Sequence, residues 1–156
     1  MKDFSDFHLT YWLDAIALEY RQRGFSVTYQ PFAYGADFRP LSSLSTGTIQ
    51  TTTIDRDADF IWCENSYVAY TTAGANQIQP DLLVQHTAVS SQRDLENQPV
   101  HLMNVYGTGE RPFIWTKPIV VSAKSAITVV LSSNVAADLN VSLTWLGVKA
   151  FLTRLR

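Results

Sequence analysis

The chain has 156 residues, 46% of them hydrophobic and 17% charged, and a formal charge of −2, which allows one well-buried core and excludes disorder and a basic stripe for nucleic acid. No apolar run reaches the roughly eighteen residues a membrane span needs, and the opening MKDFSDF lacks the basic and apolar regions of a secretion signal, so a protein made in a cytoplasm and remaining soluble is expected. A charge content below the usual quarter also implies a surface partly covered by partners.

In SDFHLTYWLDAIALEYRQRG, Leu9, Trp12, Leu13, Ile16 and Tyr20 recur at steps of three and four, the spacing of one helical face. Ser5 or Asp6 is placed to cap this helix and Gly24 to end it, while Arg21 and Arg23 fall in the last turn, where cations suit the helix dipole. Residues 1–24 therefore read as an arm with an amphipathic helix, and residues 25–156 as a β unit.

Beyond Gly24, short runs of Val, Ile, Thr and aromatic residues alternate with Gly, Pro, Asn and Ser clusters. They predict strands at 25–32, 47–54, 59–71, 82–89, 100–104, 119–121, 126–132 and 139–151, the last broken near Gly147. The prolines fall between these runs or at their edges, as suits a residue that cannot donate to a ladder. Val141, Leu143 and Trp145 share one strand face, with Ser142 and Thr144 on the other. Ile127, Val129 and Leu131 do the same, but Val130 opposite them predicts a central strand covered on both sides. Strands without intervening helices give a mainly β fold, an antiparallel β-sandwich or jelly roll with one N-terminal α-helix.

Asp55, Asp57 and Asp59 have the spacing of the first ligands of a calcium loop. Phe60 stands where that loop turns on Gly, and Ser66 stands where a bidentate Glu closes it. The three aspartates are therefore read as surface or turn residues, and no metal is expected. His8, His86 and His101 lack zinc spacing; His8 is placed on the helix and the other two on polar strand faces. Cys63 is the single cysteine and reads as a buried, inert thiol. Gly107 and Gly109 start like a phosphate loop but run into Pro112, which makes them a turn. No GxSxG elbow is present, and Asp81, Glu96 and Glu110 are carboxylates without a recognisable pairing. No catalytic residue and no cofactor are assigned.

ADFIWCENSYVAY (58–70), NQPVHLMNVYGTGERPFIWTKPIVV (97–121), SAITVVLSSN (125–134) and VSLTWLGVKAF (141–151) together resemble a layout found in tailed-bacteriophage proteins. Gly107, Gly109, Pro112, Phe113, Pro118, Asn134, Gly147, Lys149 and Phe151 match it and are all turn or packing residues. The resemblance implies a jelly-roll structural protein of the virion: a capsid decoration protein or a component of the neck, collar or tail. Such a protein forms homo-oligomers, contacts major capsid, portal, neck or tail proteins, and is made in the host bacterial cytoplasm. It acts without chemistry.

The helix lies outside the matched segment. Its apolar face, Leu9, Trp12, Leu13 and Ile16, either covers the protein's own sheet or docks on another virion protein. Two other functions compete. A sugar- or cell-surface-binding module would stack rings on Trp62, Tyr67, Tyr70, Tyr106 or Trp115, and a hydrolase would need two facing carboxylates.

Overall fold

The computed structural model describes residues 4–74, 77–88 and 93–156. Helix α1 (Phe4–Gln22) is followed by β1 (Phe25–Leu41), β2 (Thr48–Thr53), β3 (Asp59–Thr71), β4 (Leu82–Ala88) and β5 (Arg93–Asp94). The chain continues through β6 (Val100–His101), a 3-10 turn at Leu102–Asn104, β7 (Phe113–Val121), β8 (Ala126–Ser133) and β9 (Leu139–Arg154).

One sheet has the order β1-β9-β3-β7, and the other β2-β8-β4-β5, with β6 also on β4. Every pairing between these strands is antiparallel. The chain changes sheet after β1, β2, β3, β6, β7 and β8, and its last strand returns to lie beside its first. That wrapping is a jelly-roll sandwich, the expected fold class.

The core between the sheets follows from alternation. Along β8, Ile127, Val129 and Leu131 are fully buried, and they face Leu139, Val141, Leu143 and Trp145 of β9 and Phe60 and Trp62 of β3 within one apolar cluster. A second, smaller cluster lies on the outer face of the first sheet. There Ile16 and Tyr20 of the helix pack on Ile61, Cys63, Val148 and Ala150.

Several boundaries differ from expectation for physical reasons. Strand β1 runs on to Leu41 and β7 starts at Phe113, so Pro31, Pro40 and Pro118 lie inside strands and not beside them. Both strands are sheet edges, paired on one side only, where a missing N–H is tolerated. Strand β9 is not broken at Gly147. Instead Gly147 sits opposite Trp62 at a bulge between Trp62 and Glu64, and a Cβ there would come within 2.0 Å of the Ile61 carbonyl.

Only Val100 and His101 of the 100–104 run are strand, because the next residues close a turn on the Leu102 carbonyl. Strand β5 is two residues long, too short to predict. Val89, expected to end β4, lies outside the described residues. The helix starts at Phe4, so Ser5 and Asp6 fall inside its first turn and neither precedes it as a cap. Gly24 does end it, at φ +84 with its N–H on the Arg21 carbonyl at 3.0 Å.

Candidate assembly surface

The residues that most resemble a catalytic set are buried in the core. His86 Nδ1 lies 2.9 Å from Glu96 Oε1, and His86 Nε2 lies 2.7 Å from the Tyr106 hydroxyl, which accepts from Trp145 Nε1 at 2.6 Å. Trp145 can only donate, so Tyr106 passes its own hydrogen to His86 Nε2, and Nδ1–H then points at Glu96. The other Glu96 oxygen takes the His86 backbone N–H at 2.7 Å. Every donor in this chain has an acceptor.

Next to it, Trp62 Nε1 donates to Asn65 Oδ1, and the Asn65 amide donates to the Val105 carbonyl at 2.8 Å. His86, Trp145 and Asn65 have no exposed surface and Tyr106 has 2%, so no substrate meets the Glu–His pair. Burial also holds the Tyr106 hydroxyl well above its ordinary pKa. The network ties β3, β4 and β9 to the two loops that carry Glu96 and Tyr106. Sequence reasoning put His86 on a polar strand face, and the structure corrects this. Leu82, Val84 and His86 alternate into the core, and that spacing in LLVQH was the available signal.

The aspartates of DRDAD diverge. Asp55 and Asp57 both approach the ammonium of Lys149, which is 7% exposed and also lies over the Phe32 ring. The hydrogen bond to Lys149, then that to Tyr34, holds the Asp55 carboxyl below its usual range, and the same Asp55 bond raises Lys149. Asp59 points elsewhere: it accepts from Tyr20 at 2.6 Å and from the Ala123 backbone N–H at 2.8 Å. Among the described residues no group of three or more His, Cys, Asp or Glu side chains converges on a common point.

The expected docking face of the helix lies on the protein's own first sheet. Ile16 is buried there, and Leu9 and Leu13 pack partly buried against the same cluster. Trp12 is half-buried beside His8, with Lys117 of β7 over its ring at 5.6 Å. His8 Nε2, 3.0 Å from the Thr116 carbonyl, and Tyr29, donating to the Leu13 carbonyl at 2.8 Å, hold the helix to both sheet edges. Cys63 is covered as well. Burial, then the neighbouring Glu64 carboxylate, pushes its thiol up to about 12.

The sugar-stacking platform does not form on the surface. Trp62, Tyr67 and Tyr106 are in the core, and Trp115 packs partly buried against Trp62 with ring centroids 5.6 Å apart. Two of the named carboxylates already have partners: Glu96 is held by His86, and Asp81 pairs with His101 at 3.2 Å.

What remains is the outer face of the second sheet. The helix lies on the other sheet, so Val130, expected to be covered, faces outward. Ile49, Val130 and Gln85 form one row across β2, β8 and β4, and Thr51, Thr128 and Thr87 form the next. Ile49 is 62% exposed. The first row carries no charge, the second ends on Asp94 of β5, which accepts from the Thr87 hydroxyl at 2.6 Å, and Thr51 bonds Thr128 across the strands at 3.0 Å. Exposed Ile49 and half-buried Val130 side by side make an apolar spot of the kind that partners cover.

No family model matches the chain, and no curated protein does. Among solved structures, a decameric BFDV capsid protein matches over 80% of this chain and 98% of its own, at 10% identity and a TM-score of 0.37. The VP2 subviral particle of infectious bursal disease virus matches over 79% of this chain and 40% of its own, at 14% identity and a TM-score of 0.26. Scores this low establish no shared function.

Proposed function

We propose that this is a non-enzymatic structural protein of a tailed-phage particle, working as an oligomer on the capsid, as a decoration or cement protein, or at the neck, collar or tail. The observation that carries the reading is the outer face of the second sheet, where Ile49, Val130, Thr51 and Thr128 form a charge-free stretch of β2 and β8 and Ile49 is 62% exposed at its edge. The motif layout from 58 to 151 accords with it, since it is built from turn and packing residues. The mechanism is burial. Each copy covers part of a neighbour, and many copies, each with an interface of about 1,600 Å², reinforce a shell or ring.

The test is whether the protein resides in the particle. Mass spectrometry of purified particles is expected to find it at a fixed copy ratio to the major capsid or portal protein, and cryo-electron microscopy to place it on the lattice or at the portal vertex. Its absence from particles carrying a full set of other structural proteins would end this reading.

A further inference from the structure

Four exposed arginines gather at one end of this molecule, beyond the level of Asp55, Asp57 and Asp59. Strand β9 runs from Leu139 to Arg154, and 16 residues at about 3.3 Å each set its ends about 50 Å apart. At the far end β9 pairs only with the start of β1, beyond the level at which β3 begins opposite Ala150. Leu155 N–H closes this ribbon on the Gly24 carbonyl at 2.8 Å, so Arg154 and Arg156 meet Arg21 and Arg23 at the end of the helix. All four arginines are exposed, and among the described residues none lies within ion-pair distance of a carboxylate. Leu152 and Leu155 beside them are 38% and 49% exposed.

The opposite end carries three aspartates. Asp138 precedes β9 and holds the Ser43 N–H at 2.8 Å, Asp81 receives the Asn134 N–H on its carbonyl, and Asp37 lies opposite Ser142. Arg39 pairs with Asp37 at 3.5 Å and His101 lies 3.2 Å from Asp81, yet the Asp37 and Asp81 side chains remain 63% and 55% exposed. Leu44 and Met103 stand out from this rim at 61% and 52% exposure. Arginines with leucines at one end thus match aspartates with Leu and Met at the other.

We propose that copies of this chain associate head to tail, the arginine tip of one molecule seating on the aspartate rim of the next. The proposal deepens the assembly reading above and rests on it. A second copy fits the tip better than nucleic acid does: a phosphate backbone has no use for the leucines, and the net charge of −2 repels a polyanion at long range. Such a contact joins two different patches, so it closes into a ring or continues as a filament according to the rotation between copies.

Sedimentation of the full chain tests this. Self-association at roughly 0.05 M salt should weaken at least about tenfold at roughly 0.5 M, where exposed charges are screened. Arg154→Glu with Arg156→Glu, and separately Asp81→Lys with Asp138→Lys, should each lower it by at least about tenfold through like-charge contact. Circular dichroism checks that each variant folds. An equimolar mixture of the two should associate again, because each reversed end then meets its opposite.

Wild-type protein that stays monomeric at low salt, or association indifferent to both reversals, overturns the proposal. So does single-stranded DNA binding that requires the tip arginines in protein that does not self-associate. Presence in particles together with charge-indifferent association would sink the head-to-tail contact while leaving the assembly role standing.

Discussion

Tyr106 is the hinge of the buried network, since it accepts from Trp145 and donates to His86. Replacing it with Phe keeps the ring and leaves two buried polar groups without partners. Urea unfolding should show a loss of about 2–4 kcal/mol. Trp145→Phe made in that background should then cost less than in the wild type, because their shared bond is already gone. Equal costs in both backgrounds would mean that the bond carries no coupling.

Asp55 is shifted down from 3.8, so its contribution is present above that value and is lost as pH falls through the lowered pKa. Lys149 is shifted up from 10.5, so its contribution is present below that value and is lost as pH rises through the raised pKa. The stability difference between wild type and Asp55→Asn should therefore be flat across neutral pH and shrink at both extremes. It should also be small, because the carboxylate faces solvent. A difference that varies through the neutral range would contradict the pairing. DRDAD itself revealed only that the closing features of a calcium loop are missing; its cation lies 94 residues away in sequence, beyond the reach of local spacing.

Among the elements, the most legible was the one whose neighbours constrain it on both faces. The predicted 59–71 strand is β3, interior in its sheet and marked by the apolar runs Phe60–Cys63 and Tyr67–Tyr70. In the edge strands proline reads as a boundary, whereas an edge leaves one side of the backbone unpaired and admits it. The helix was visible from its period. Which surface it covers was not, since a 3.6-residue stripe is the same whether it meets its own sheet or a partner.

Gly147 shows the same limit. The residue reads as a strand breaker, whereas its bare Cα is what lets β9 pass close to the β3 bulge without stopping. Gly147→Ala should cost about 3 kcal/mol or more, since a methyl group there meets backbone that must shift. A thermal melt within error of the wild type would show that the bulge yields freely.

For the whole molecule, stability and assembly should separate by surface. Ile49 lies outward on β2 and touches no core cluster, so Ile49→Lys should leave the unfolding free energy within about 0.5 kcal/mol of wild type. The same change places a charge on the charge-free stretch formed by β2 and β8, and recovery of the protein with purified particles should fall. Normal recovery with unchanged stability would remove that face from the assembly interface.

The sheet order β1-β9-β3-β7 has a further consequence, for how the protein is made. The last strand of the sandwich fills the interior of the first sheet, so β1 and β3 have no shared neighbour until β9 emerges from the ribosome. Phe25 must wait for Arg154, a separation of nearly the whole chain. Long-range closure of this kind is slow, and until it happens the nascent chain displays two unpaired strand edges. Self-association that begins before β9 has docked would use those edges and not the finished surfaces, which makes the final strand the step that licenses correct assembly.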